Sequence, residues 1–166
     1  MIKAIVTVGF VGLLRPASGT WGSLAALFLG AGILFQFGPL VLALGALVAY
    51  VLGHWAVSQY TSGDADPSEV VIDELVGQWI AILPVGLLLE TARGPLPIEF
   101  GLLVAGFFLF RLFDIWKPSI IGWADRKHGA TGIMLDDVFA GIFAAIVLML
   151  LYVAMIYAAV ASNPWG

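Results

Sequence analysis

The sequence predicts an all-α integral membrane protein, a compact bundle of about five transmembrane helices, one or two of them short or kinked. Three observations carry that expectation. Hydrophobic residues fill 61% of the 166 positions and charged residues only 11%, where an ordinary soluble domain has about 25% charged. Mean hydropathy is +1.05. Apolar runs near the ~20 residues that a helix needs to cross a hydrocarbon core also recur along the chain, with short polar or Gly/Pro breaks between them. No repeat or low-complexity tract interrupts the pattern, so residues 1–166 read as a single membrane-embedded domain.

The N-terminal segment opens with Lys3 and the apolar stretch Ile5–Leu14, followed by the small residues Ala17, Ser18 and Gly19. A signal peptide has that outline, but Arg15-Pro16 interrupts it, so an embedded or interfacial first helix is the expectation. Between Trp21 and Trp55 there is no Asp, Glu, Lys or Arg, and Gly38-Pro39 divides the run. Two closely packed spans follow, near 22–37 and 39–58. A third is expected to start at Pro67, with Asp66 as N-cap and Glu69 at the third helical position, a capping-box arrangement. It runs on through Val70–Leu89, with Pro84 as a kink. A fourth covers about 98–116 and stops before Pro118. The fifth, about 134–160, carries the small-residue spacings Ala140/Ala144 and Gly141/Ala145, which allow close helix packing.

With the N-terminus inside, five spans place 1–20, 59–69 and 116–133 on one face. Those segments hold Lys3, Arg15, Lys117, Arg126 and Lys127, while the opposite face receives only Arg93. Positive charge concentrates on cytoplasmic loops, so the first face is expected to be cytoplasmic. Both acidic pairs, Asp114 and the Gly19–Ser23 turn fall near that same side.

The carboxylates carry the chemistry. Asp73-Glu74 and Asp136-Asp137 each stand at the front of a long apolar run. An ionised group at a bilayer centre costs about 2.5–3.5 kcal/mol on insertion scales. Acids at a helix N-terminus favour the macrodipole and need no metal. Two such pairs on two helices, however, suit a hard divalent cation such as Mg²⁺, which binds through a few carboxylates, waters and substrate phosphate. Asp114 lies between Arg111 and Lys117 at i−3 and i+3. Those cations read either as phosphate clamps or as intrahelical ion pairs. Arg126 adds charge in the next loop.

Gly19-Thr20-Trp21-Gly22-Ser23, beside Arg15, offers backbone amides and the Thr20 and Ser23 hydroxyls to an anion. The P-loop lysine is missing. His128 opens a flexible segment, 128–132, ahead of the second acid pair and is a candidate for proton transfer. His54 reads as packed or interfacial. With no cysteine, disulfides and Cys-based zinc or redox chemistry are excluded. No basic-aromatic pattern points to nucleic acid, and no Ser-His-Asp or Cys-His system is apparent. Cationic side chains beside carboxylates that hold Mg²⁺ form the arrangement used in phosphoryl chemistry. Attack by a metal-activated water is the simplest mechanism, with an aspartyl-phosphate route as the alternative. The competing class is a cation transporter or channel with an acidic mouth. It expects ionisable groups throughout the membrane depth, whereas here the distal halves of the spans read as apolar.

Three blocks resemble the phosphatidylglycerophosphatase A family: Gly19 to Ala26, Asp66-Pro67 through Val71-Ile72-Asp73-Glu74-Leu75-Val76-Gly77, and Phe110 to Pro118 continuing through Asp125-Arg126 and Gly132 to Gly141. The resemblance implies an Mg²⁺-dependent, multi-pass, inner-membrane lipid phosphatase with its site on the cytoplasmic side. Its lipid substrate is phosphatidylglycerophosphate and its products are phosphatidylglycerol and phosphate. It makes Asp73, Glu74, Asp114, Asp136 and Asp137 the catalytic carboxylates, with Asp73, Glu74, Asp136 and Asp137 at the metal. Arg111, Lys117 and Arg126 stand near the phosphate, where the residue reading also places Arg15, Thr20 and Ser23. The chain departs from the family at Ser18, where proline is common; no charged group is lost. Oligomeric state is not fixed by sequence.

Overall fold

A computed structural model describes residues 1–61, 67–92 and 96–162, and among these every regular element is helical. Helix α1 is Ile2–Val6, followed by a 3₁₀ turn at Val11–Leu13; then come α2 (Ser18–Tyr60), α3 (Ile72–Ala92), α4 (Leu96–Trp116), α5 (Ile120–Asp125) and α6 (Gly129–Ser162). The expected N-cap Asp66 and the distal Arg93 lie outside the described residues.

Helix α2 is two helices in one run. Gly38 takes φ 81° and ψ 175°, a conformation open to glycine, and Pro39 follows it. The arms 18–37 and 39–60 are helical where two separate helices were expected, near 22–37 and 39–58. Between them sits Trp79 of α3, whose indole N–H donates to the Ala26 carbonyl at 2.9 Å. A Cβ on Gly30 or on Gly45 would run into this ring. Bare backbone on both arms therefore lets α2 close around α3.

Helix α3 is the centre of the molecule. It packs on α2, α4 and α6, and Val76, Ala81, Ile82 and Val85 are almost wholly buried. The outer helices are built the other way round. Helices α2 and α6 are both long and apolar enough to cross a membrane, yet only 22% of each one's most apolar window is buried inside the protein. Their large side chains face outward, Phe28, Leu40, Leu150 and Val160 among them. A soluble core helix would bury that surface; lipid accommodates it.

Three boundaries differ from expectation. Helix α3 begins at Ile72, five residues after Pro67, because the segment ahead of it is held in another shape. The Val71 amide donates to the Val6 carbonyl at 2.9 Å, the Ser18 hydroxyl donates to the Ser68 carbonyl, and the Tyr60 hydroxyl donates to Glu69 at 3.0 Å. Conversely, α6 starts at Gly129, so 129–132 is helix and not a flexible loop. Close packing of Gly132 on the Lys127 carbonyl leaves no room for a Cβ. At the N-terminus the apolar stretch yields only a short helix. The Thr7 hydroxyl donates back to the Lys3 carbonyl at 2.8 Å and accepts from the Phe10 amide at 3.0 Å, which gives the backbone an alternative to helix. Glu99, in the first turn of α4, is buried at the far end of the bundle, an exception to the expectation of wholly apolar distal halves.

Candidate active site

The site is built around a backbone crossing. A Cβ on Gly141 of α6 would collide with the Gly77 carbonyl of α3, and one on Gly77 would meet the Asp137 carbonyl and the Phe110 ring. Nothing but glycine permits so close an approach. Asp73 precedes Gly77 by four residues and Asp137 precedes Gly141 by four. One helical turn above the crossing, the two carboxylates therefore face each other. Single oxygens of Asp73, Glu74 and Asp137 all lie within 4.8 Å of one another. Asp73 is 9% exposed and Asp137 3%.

Glu74 is brought in by a third helix. Gly19, near the start of α2, lies so close to Glu74 and to the Arg111 guanidinium that a Cβ there would strike both. Arg111 pairs with Asp114 at 2.5 Å, one turn further along α4, and donates to the Ser23 hydroxyl at 3.4 Å. Ser23 is itself committed, donating to the Gly19 carbonyl at 2.8 Å. Asp114 lines the same cavity as Glu74 and Asp137.

The turn between α4 and α5 supplies a second cation. Lys117 and Ser119 adopt φ of 49° and 52° on either side of Pro118, a left-handed region that side chains larger than glycine disfavour. Gly122 has its Cα against the Lys117 carbonyl, with no space for a Cβ. Held by this turn, the Lys117 ammonium donates to Asp136 at 2.7 Å and also to Asp125. Burial alone would lower its pKa, but the bonds to Asp125 and Asp136 outweigh burial and hold it above the ordinary lysine value.

These groups line a cavity of about 750 Å³. Asp73, Glu74, Asp114, Asp136 and Asp137 all reach it, as do Arg111, Lys117, Arg126 and His128. Three of the sequence-selected residues do not. Arg15 is exposed and off the lining, though it donates to the hydroxyl of the lining residue Ser68 at 3.4 Å, Thr20 is exposed and also off the lining, and Ser23 is off the lining and accepts from Arg111. His54 bridges α2 to α6, with Nε2 3.1 Å from the Thr131 hydroxyl and its ring against Tyr50; it is a packed residue. Asp125 and Lys127 join the wall without having been singled out as site residues. Lys127 lies 4.2 Å above the Trp123 ring. Nothing in sequence spacing signals Asp125, because its approach to Lys117 depends on the strained turn. The Asp-x-x-x-Gly spacing shared by α3 and α6 is a signal that could have been read.

The donor chemistry fits a divalent cation of the magnesium kind. The converging atoms are hard carboxylate oxygens, and Glu74 Oε2 and Asp136 Oδ1 are buried with no hydrogen-bond partner. Buried charges are paired or hold metals. With Arg111, Lys117, Arg126 and Lys127 in the same lining, this is the layout of an enzyme that handles an anionic headgroup at the end of an apolar helical scaffold.

Comparison with known proteins is in accord. The sequence pattern of the phosphatidylglycerophosphatase A family matches residues 4–152. The chain is 36% identical over 148 residues to phosphatidylglycerophosphatase A of Haemophilus influenzae, covering 87% of this chain and 85% of that one. It is 36% identical over 150 residues to phosphatidylglycerophosphatase A of Escherichia coli, covering 87% and 80%. A Bacteroides thetaiotaomicron protein with the provisional name phosphatidylinositol-3-phosphatase is 34% identical over 153 residues, covering 89% and 91%. No solved structure matches. The chain belongs to the phosphatidylglycerophosphatase A family and is a phosphoric monoester hydrolase.

Proposed function

We propose that the chain is an Mg²⁺-dependent lipid phosphatase that removes the terminal phosphate of phosphatidylglycerophosphate at the cytoplasmic face of the bacterial inner membrane, leaving phosphatidylglycerol. In this reading the two arms of α2, together with α3, α4 and α6, form five spans. The observation that carries it is the convergence of Asp73, Glu74 and Asp137 oxygens within 4.8 Å in a cavity whose wall also bears Arg111, Lys117, Arg126 and Lys127.

Asp73, Glu74 and Asp137 would hold the metal, with Asp136 beside them. When bound, Mg²⁺ would supply Lewis-acid stabilisation of the phosphoryl oxygens and a more acidic water. The chain's own side chains do the rest. Arg111, oriented by Asp114, offers a planar set of donors to the phosphate. Lys117 keeps its charge and fixes Asp136. Water adds to phosphorus and the bond from phosphorus to the glycerol oxygen breaks. The leaving oxygen takes up a proton, for which His128 at the cavity wall is the proposed donor.

A different lipid phosphomonoester is the reading to set beside it, because one relative carries the name of a phosphoinositide phosphatase. The cation-channel alternative finds little support. Between buried Glu99 at one end and the acid cluster at the other, no charged residue lies in the described parts of α3, α4 or α6. The test is a headgroup panel in detergent, with phosphatidylglycerophosphate, phosphatidylinositol-3-phosphate and phosphatidic acid each assayed with and without Mg²⁺. Preferential Mg²⁺-dependent release from the first supports the proposal. Preference for the second replaces the substrate, and cation flux into liposomes with no hydrolysis replaces the class.

A further inference from the structure

Gln78 is wholly buried in α3, and neither its amide nitrogen nor its amide oxygen has a hydrogen-bond partner. An amide placed this way in an apolar interior costs several kcal/mol on a cyclohexane scale and roughly 1–3 on protein scales. Its surroundings suggest what offsets that cost. Glu74 is one turn above it on the same face of the helix, and Glu74 Oε2 is buried and unpartnered. Arg111 converges with Glu74 at Gly19, and its Nε is also buried and unpartnered. The four orphaned atoms are complementary. An amide N–H can donate to a carboxylate oxygen, and an amide oxygen can accept from a guanidinium N–H.

We infer that Gln78 is a positioning residue beneath the site, joining the carboxylate that faces the metal to the arginine that faces the phosphate. In the loaded enzyme its Nε2 donates to Glu74 Oε2 and its Oε1 accepts from Arg111 Nε–H. The side chain adds no charge, so it orients Glu74 without competing with a bound cation. Among residues 75–88 of α3, the only other side chain with a polar atom is Trp79, and its indole N–H is already bonded to the Ala26 carbonyl. Supporting hydrogen bonds of this kind set the orientation and basicity of ligating groups. The inference rests on the metal-dependent reading above and assigns it a coupling between its two halves.

The experiment uses the full chain in detergent, with Mn²⁺ as the probe, free Mn²⁺ read by electron paramagnetic resonance, and unfolding followed by tryptophan fluorescence. Gln78→Met keeps the volume and removes both polar atoms; Gln78→Asn keeps the amide but withdraws it by one methylene. The expected result for Gln78→Met is Mn²⁺ binding weaker by about tenfold or more. KM for the lipid phosphate rises as well, while the melting temperature is unchanged or higher. Gln78→Asn falls between Gln78→Met and wild type. Wild-type Mn²⁺ affinity and KM in Gln78→Met would overturn the inference and leave a packing role only. If Gln78→Met does not fold, Gln78→Asn decides by the same two readouts. Absence of Mn²⁺ binding to the wild type would instead remove the metal-dependent reading, and the inference with it.

Discussion

Gly77 and Gly141 touch backbone to backbone, and this contact sets the spacing of the Asp73 and Asp137 carboxylates one turn above it. The crossing ties scaffold to chemistry, because any side chain inserted there pushes α3 and α6 apart and separates the acids. Gly141→Val is therefore expected to lower stability by about 1–3 kcal/mol, the cost of overpacking, and to reduce activity out of proportion to the folded fraction. Gly32, with nothing within 4 Å of a Cβ, is the control. Gly32→Ala gains roughly 0.5–1 kcal/mol of helix propensity and leaves turnover unchanged. Thermal unfolding and phosphate release on the same preparations check both.

Lys117 holds Asp136, which is 5% exposed, and Asp125 at once. Lys117→Met leaves a buried carboxylate without its cation and is expected to cost on the order of 2 kcal/mol. Adding Asp136→Asn should recover part of that loss while activity stays low. A melting temperature of the double variant no higher than that of Lys117→Met contradicts the pairing.

The same lysine sets a pH expectation. Its pKa is raised above the ordinary value of about 10.4 by its bonds to Asp125 and Asp136. A raised folded-state pKa means the contribution is complete below the ordinary value and fades only as pH climbs through the folded one. The stability difference between wild type and Lys117→Met should thus stay level from about pH 6 to about pH 9. A difference that shrinks within that window argues that Lys117 is not held as described.

Arg111 and Arg15 separate two uses of arginine. Arg111 lines the cavity and meets Asp114 there, whereas Arg15 is off the lining and reaches only the Ser68 hydroxyl at the cavity's edge. Arg111→Ala is expected to lower kcat/KM on the order of a hundredfold, as for removal of a preorganised donor; Arg15→Ala and Thr20→Ala should stay within about threefold, in line with exposed positions. Equal losses at all three positions would mean that the phosphate sits further out than the acid cluster implies.

Sequence reading reached the acid pairs, Asp114 and their convergence on one end of the bundle, because unbalanced charge in an apolar run is a local signal. The division of α2 at Gly38 was legible for the same reason, as glycine followed by proline marks a break in any helix. Tertiary partners set the remainder. The delayed start of α3 depends on Val6 and Tyr60 gripping the segment from distant parts of the chain. Thr20 and Ser23 looked like anion donors by residue type, but the first is exposed and the second is occupied by Gly19 and Arg111. Gly19 by residue type suggests room for a ligand, whereas in the fold its missing side chain makes room for Glu74 and Arg111. Gln78 gives no signal in the sequence, since one neutral polar residue in an apolar run stands out only once its lack of partners is visible.

The central claim is that the carboxylate cluster supports Mg²⁺-dependent hydrolysis of a lipid phosphomonoester. Its most direct test is phosphate release from phosphatidylglycerophosphate in detergent micelles, comparing wild type with the Asp136→Asn, Asp137→Asn double variant before and after EDTA and after Mg²⁺ is restored. The expected result is wild-type release that stops with EDTA and returns with Mg²⁺, with the double variant lower by on the order of a hundredfold or more throughout. Wild-type turnover by the folded double variant would contradict the account, as would full wild-type activity in EDTA.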